Sequence, residues 1–364
     1  MMCRMRSSAI GFGRRRAVFV AAVAGVLCRF PGPLGAAPGE WRAWEAARVR
    51  LHVARIRLVD RVYGNGFSDL SDARARECEA LNDALRNLAE DRAPAPRPGV
   101  GLDAYISSID HSAQPFIRYL PPGWTSAQRA PLMIYLHGYS PYYDRFNCPS
   151  FPSQLTNVAV RSGACIAVPF GRGNTDFQGI GEHDVFRVMD EMRARYGTDP
   201  RRVVLVGYSM GGMGAWCIAA RHPQHFNAVM VLAGRGDFYV WHRLKPEDLP
   251  PWQRRLIDTQ FASAWVRQLK SLPVLAVHAR YDTLVSFDQG KAIFDQAARH
   301  NARARFIVDP AGDHWTTLDA ATNAVGAAWL HAALSVTNVS GCVSRLGIGE
   351  TGSRLQNAWQ QPFV

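Results

Sequence analysis

Lysine is nearly missing from this 364-residue chain. It occurs only at Lys245, Lys270 and Lys291, so almost all of the 42 basic side chains are arginine. No basic patch interleaved with aromatics accompanies them, and no nucleic-acid-binding motif is present, so the net charge of +12 does not make nucleic acid the partner. Acid is missing altogether from the first 36 residues, which hold Arg4, Arg6, Arg14, Arg15, Arg16 and Arg29. Half of the formal charge therefore belongs to that segment. None of the seven cysteines stands in C-x-x-C spacing, which excludes zinc-ribbon and dithiol redox chemistry. Gly171-Arg172-Gly173 lacks the lysine of a phosphate-binding loop. No metal or organic cofactor is implied. With 48% hydrophobic and 20% charged residues, the chain has the composition of a folded globular protein.

What the N-terminus does contain is an address. Three arginines (14–16) precede an apolar run of 11 residues (17–27) and then a Pro/Gly-containing stretch ending in the small residues Ala36 and Ala37. That order is the n-, h- and c-region of a cleavable secretory signal, and the run is short for a membrane span of about 20 residues. The expectation is a signal peptide at 1–36, a periplasmic or secreted product, and no stable membrane span after cleavage. Cys78, Cys148, Cys165, Cys217 and Cys342 then remain, an odd number that leaves at least one thiol unpaired within the chain. Cys217, inside an expected core helix, is the first candidate.

Residues 37–92 read as a helical segment. Trp44, Ala47, Leu51, Ala54, Leu58 and Val62 recur at helical steps, as do Cys78, Leu81, Leu85 and Leu88. A Pro/Gly linker occupies 93–102. Over 103–335 the period changes. Short Val/Ile/Tyr/Leu runs at 105–109, 116–120, 132–136, 165–168, 203–206, 228–232, 274–277 and 305–308 alternate with helical stretches at 184–196, 212–221, 289–300 and 317–333. This predicts an α/β domain around a mostly parallel central sheet flanked by helices, entered by an antiparallel hairpin, with chemistry at the carboxyl ends of the strands. Residues 238–272 form an insert in the usual place for a cap, and residues 336–364 are a tail without pattern.

The run at 203–206 leads into Gly207-Tyr208-Ser209-Met210-Gly211 and a small-residue helix. This is the strand, sharp turn and helix of a nucleophile elbow, which exposes the serine hydroxyl beside a helix N-terminus. Serine needs a base, and the base an orienting acid. In the order Ser, acid, His, the run at 274–277 is followed by Asp282 and the run at 305–308 by His314. Ser209, Asp282 and His314 are the predicted triad, with Asp237 as a reserve acid. Asp313 stands too close to His314 in sequence. His222 and His225 fall in a turn, His331 falls in a helix, and His278 shapes the loop. The oxyanion hole is assigned to the backbone N–H of Met210 and of Tyr139, with Gly138 as the alternative. Tyr142, Trp241 and Trp252 are candidate substrate contacts.

These residues, from Asp199 through Trp216 with Leu136-His137-Gly138 before and the Asp282 and His314 loops after, resemble the α/β-hydrolase superfamily. The chain is most similar there to prolyl oligopeptidase-like serine esterases, a group with feruloyl and acetylxylan esterases and polyhydroxybutyrate depolymerase-like proteins. The resemblance covers about 103–333. It implies hydrolysis of a small-molecule or polymer-linked carboxylic ester through an acyl-enzyme. A prolyl oligopeptidase-type peptidase, an acyltransferase and a non-catalytic cell-envelope binding module carry compatible residues. For the peptidase, about 60 residues of N-terminal helix are too few for the large propeller that such enzymes usually have.

Overall fold

The computed structural model describes residues 96–141, 143 and 151–336, together with Asp83, Arg86, Asn87, Ala89 and Glu90. The expected signal peptide at 1–36, nearly all of the expected helical segment at 37–92, Tyr142, Cys78, Cys148, Cys342 and the residues beyond Val336 lie outside the described residues. No helix among those described is long and apolar enough to cross a membrane.

Eight strands form one sheet in the order β1-β2-β4-β3-β5-β6-β7-β8. They are β1 (Gly99–Ile106), β2 (Ala113–Leu120), β3 (Ala130–Leu136), β4 (Cys165–Pro169), β5 (Thr198–Tyr208), β6 (Ala228–Leu232), β7 (Val274–Ala279) and β8 (Ala304–Asp309). β2 runs antiparallel to both β1 and β4, and every later pairing is parallel. The expected hairpin entry into a mostly parallel sheet is therefore present. After β4 the chain crosses back over β3 to place β5, and that reversal opens a crevice at the carboxyl ends of β3 and β5.

Alternation along the strands builds two cores. Leu132, Ile134, Leu136, Val203 and Leu205 face one layer, while Met133, Tyr135, Val204 and Val206 face the other. β3, β4, β6 and β7 are buried at every position, as strands covered on both faces must be. The first layer holds helices α2 (Ile180–Tyr196), α3 (Met210–Arg221) and α6 (Phe287–Ala298); the second holds α1 (Thr156–Ser162), α7 (Thr317–Ala321) and α8 (Ala324–Ser335). Between β6 and β7 lie α4 (Phe238–His242) and α5 (Pro251–Gln260).

Several boundaries differ from the sequence reading. β1 begins at Gly99, so residues 99–102 of the expected linker are strand, and it stops at Ile106 rather than running to 109. Proline and glycine mark breaks by composition, but pairing with β2 from Gly99↔Leu120 onward overrides that signal here. The single helix expected over 317–333 is two helices, because the Asn323 side chain accepts the Val325 and Gly326 N–H groups and starts a new one. The seven-residue α1 was not foreseen.

The insert divides in its packing. Ala262, Val266, Leu269 and Leu272 are buried, and Phe261 and Trp265 pack against the same core, so its second half belongs to the helical layer beside α3 and α6. Trp252, by contrast, is exposed. Cys217 is a free thiol buried in α3, its Sγ–H donating to the Gln260 carbonyl at 3.4 Å; burial pushes it up to about 11. It is inert packing rather than a reactive group.

Candidate active site

Ser209 follows β5 directly and is the N-cap of α3, with φ 56° and ψ −115°. A side-chain-bearing residue rarely adopts positive φ, so the surroundings must hold it there. Its N–H donates to the Leu232 carbonyl of β6 at 2.8 Å, and its carbonyl accepts the Met213 N–H at 3.1 Å. The glycines around it explain how the neighbours come so close. A Cβ on Gly207 would overlap the Gly211 carbonyl, and one on Gly211 would overlap the Leu136 carbonyl at the end of β3. On Gly212 it would lie 2.7 Å from Gly234 Cα, and on Gly214 2.8 Å from Phe177 Cβ. Each missing methyl group thus admits one neighbour: the helix's own first turn, the end of β3, the loop after β6 and the loop after β4. The extended elbow is a packing code for the whole rim of the crevice.

The other two side chains arrive from the far side of β5. Asp282 lies three residues beyond β7 and His314 five beyond β8. Their loops are laced together, Arg280 N–H donating to the Asp309 carbonyl at 2.8 Å and Tyr281 N–H to the Gly312 carbonyl at 3.1 Å. His314 Nδ1–H donates to Asp282 Oδ2 at 2.7 Å, and Ser209 Oγ–H donates to His314 Nε2 at 2.9 Å. This assignment follows because ionised Asp282 can only accept. The Asp282 side chain is fully buried and His314 nearly so. Burial opposes the charge on Asp282, but hydrogen bonds from His278, His314 and the Val285 N–H outweigh it and hold the carboxyl well below the usual range. Asp282 Oδ1 takes the Leu284 and Val285 N–H groups at 2.9 and 2.8 Å, which fixes the carboxylate against rotation.

His278 shapes this loop, as its position suggested. Buried at the end of β7, its Nε2–H donates to the Val285 carbonyl at 2.7 Å, with Asp282 Oδ2 at 3.4 Å. The other polar candidates are engaged elsewhere. Asp237 caps α4, taking the Tyr239 and Val240 N–H groups, and accepts from Gln296 at 2.6 Å. His222 bonds Glu182 at 2.7 Å, His225 stacks edgewise on Phe186, and His331 bonds Ser162 Oγ at 2.9 Å.

Met210 opens α3, so its N–H belongs to the first turn, where helices leave donors without internal acceptors. The turn after β3 runs alongside: a Cβ on Gly138 would be 3.4 Å from Ser209 Cβ and 3.1 Å from the Tyr208 ring. Tyr139 follows, its side chain 65% exposed. His137 ties this turn to the loop after β4 through contacts to the Gly138 and Phe170 carbonyls at 2.8 and 3.2 Å, and burial keeps its pKa low. Trp241 lies under the Arg235 guanidinium at 4.3 Å, while Trp252 stands 62% exposed on α5. The contacts that join Ser209, His314 and Asp282 do not extend to either.

Two residues escaped the sequence reading. Tyr208, a free position of the elbow pattern, donates its hydroxyl to the His314 carbonyl at 2.9 Å and lays its ring 5.2 Å from the imidazole. Trp315 stands edge-on to the same imidazole, with ring centroids 5.6 Å apart and planes perpendicular. Only its adjacency to His314 could have marked it.

A mostly parallel sheet of this order, with a Ser–His–Asp relay at the carboxyl ends of its strands, has the α/β-hydrolase fold and the site of a serine hydrolase. Residues 172–334 match the prolyl oligopeptidase family. Dipeptidyl-peptidase 5 of Porphyromonas gingivalis is 25% identical over 219 residues, which are 54% of this chain and 32% of the relative. The chain thus spans about a third of that relative's length. Among solved structures, an S-formylglutathione hydrolase from Agrobacterium tumefaciens superposes with a TM-score of 0.50 at 17% identity, covering 65% of this chain and 95% of the other. A thermostable esterase gives 0.48 at 16% identity, covering 64% and 62%. The resemblance read from the sequence holds at the level of fold and family domain.

The hydroxyl of Tyr208 is expected to matter through the His314 loop. Tyr208→Phe removes one hydrogen bond and should cost on the order of 1 kcal/mol in urea unfolding. An unchanged midpoint would mean that the bond does not hold the loop.

Proposed function

We propose that this chain is an exported serine esterase that cleaves carboxylic esters through an acyl-enzyme. The observation that carries the reading is the unbroken chain of hydrogen bonds from Asp282 through His314 to Ser209, on a hydroxyl held at a positive-φ elbow. Ser209 Oγ attacks the ester carbonyl carbon while His314 Nε2 takes its proton. The resulting oxyanion accepts hydrogen bonds from the Met210 N–H and from the turn at Gly138 and Tyr139, with the Tyr139 N–H as the second donor. Collapse breaks the bond to the alcohol oxygen, which leaves with the proton from His314. Water then repeats the sequence on the acyl-enzyme and frees the acid and Ser209. Asp282 stays ionised throughout, holds the Nδ1–H tautomer and stabilises the imidazolium.

Ester is the substrate class with the smaller demand, because an alcohol oxygen is a far better leaving group than an amine nitrogen and an ester needs no subsites for an extended peptide. The peptidase reading draws on the family match and on the dipeptidyl-peptidase relative. Hydrolysis of p-nitrophenyl acetate set against dipeptidyl p-nitroanilides separates the two. The expected result is ester turnover that falls about 10⁴-fold or more in Ser209→Ala. Undiminished turnover in that variant, or cleavage of the anilides alone, would overturn the proposal.

Export is part of the same reading and is supported by the arginine, apolar and small-residue order of residues 1–37. The mass of the protein recovered from outside the cytoplasm should correspond to a chain beginning near Ala37 or Pro38. A product that keeps Arg14 to Arg16 would contradict it.

A further inference from the structure

The loop after β4 carries two adjacent residues in a backbone shape that favours glycine, and neither is glycine. Asp176 and Phe177 have φ of 53° and 52°. Residues with side chains persist there only where their surroundings over-determine them. For Phe177 the hold is packing. Its side chain is fully buried, and a Cβ on Gly171 would lie 2.5 Å from its ring and one on Gly214 2.8 Å from its Cβ, so two missing methyl groups admit it. Its ring meets that of His137 edgewise, with centroids 5.0 Å apart. His137 in turn ties down the turn at Gly138 and Tyr139.

For Asp176 the hold is charge. Arg235 Nη2–H donates to Asp176 Oδ1 and Oδ2, both at 3.2 Å, and the guanidinium lies 4.3 Å from the centre of the Trp241 ring. Arg235 Nε is buried without a hydrogen-bond partner. An apolar side chain would avoid that cost, so what the guanidinium adds is its grip on Asp176 and Trp241. The pair also closes a frame around the nucleophile helix. Gly234, next to Arg235, meets Gly212, while Asp176 and Phe177 meet Gly214. The loops after β6 and β4 each touch the start of α3, and the ion pair joins them to each other.

Resting on the ester-hydrolase reading, in which the turn after β3 gives the second oxyanion donor, we infer that Arg235 is a positioning residue for that donor. By fixing Asp176 it seats Phe177 against His137, and His137 sets the turn at Gly138 and Tyr139. Ser209, His314 and Asp282 are held from β5, β8 and β7 instead, so losing the pair weakens the oxyanion hole and leaves the relay joined.

The test measures kcat/KM for p-nitrophenyl acetate and for its thiono analogue, in which sulfur replaces the carbonyl oxygen, in the full chain and in Arg235→Met, Arg235→Lys and Asp176→Ala. Sulfur accepts hydrogen bonds weakly, so the thiono ester gains little from the hole. The ratio of oxygen ester to thiono ester should fall about tenfold in Arg235→Met and in Asp176→Ala, a part of the about 10²- to 10³-fold that outright loss of a donor costs. Arg235→Lys, which keeps the charge, should recover most of it. Where Arg235→Met yields no folded protein, Asp176→Ala decides. A ratio unchanged in either variant that folds overturns the inference, even if both rates drop, because the pair then supports only the fold. The rate at which a fluorophosphonate labels Ser209 separates the two levels, since its phosphoryl oxygen enters the same hole without an ester substrate. Slower labelling of Arg235→Met in a chain whose wild type hydrolyses no ester would retain the positioning role and reject the esterase. Ester hydrolysis with an unshifted ratio would do the reverse.

Discussion

The first turn of α3 is the constraint on which the rest depends. A serine can stand at φ 56° above a sheet only if the strand, the helix and three neighbouring loops close around it, and they close only where the chain has no Cβ. Gly207, Gly211, Gly212 and Gly214 each open one of those approaches. The end of β3 meets Gly211, the loop after β6 meets Gly212, and Phe177 from the loop after β4 meets Gly214. The crevice wall follows from four missing methyl groups. Asp282 and His314 then need only reach in from β7 and β8, and the hydrogen bonds between their loops set that reach.

Much of this was legible in the chain itself. Apolar runs separated by helical stretches gave the layered architecture, because parallel strands buried on both faces have no polar side to hide. The elbow pattern and the order Ser, acid, His located three side chains that lie in hydrogen-bond contact. What sequence could not reveal depends on tertiary pairing. Residues 99–102 read as linker but pair with β2. Residues 238–272 read as one cap-like insert, yet Phe261 and Trp265 pack on the core while Trp252 is in solvent. Tyr208 and Trp315 have no pattern of their own, since their roles arise from where the His314 loop lands.

The arginine excess also has a smaller meaning than its size implies. Among the described residues, many arginines pair within the fold: Arg172 with Asp184 and Asp110, Arg195 with Asp103, Arg221 with Glu182, and Arg201 and Arg202 with Asp199. Arg172 spans from the loop after β4 to the β1–β2 turn, joining the antiparallel entry of the sheet to the rim of the site. These pairs consume charge that composition alone would assign to an anionic partner.

The central claim is that Ser209 is a nucleophile made reactive by His314. Its most direct test is covalent labelling of the full chain with a fluorophosphonate, read by peptide mass. The account predicts a single phosphonylated residue, Ser209, and loss of that label in His314→Ala. An unlabelled Ser209 in the wild-type chain, or equal labelling without His314, would contradict it.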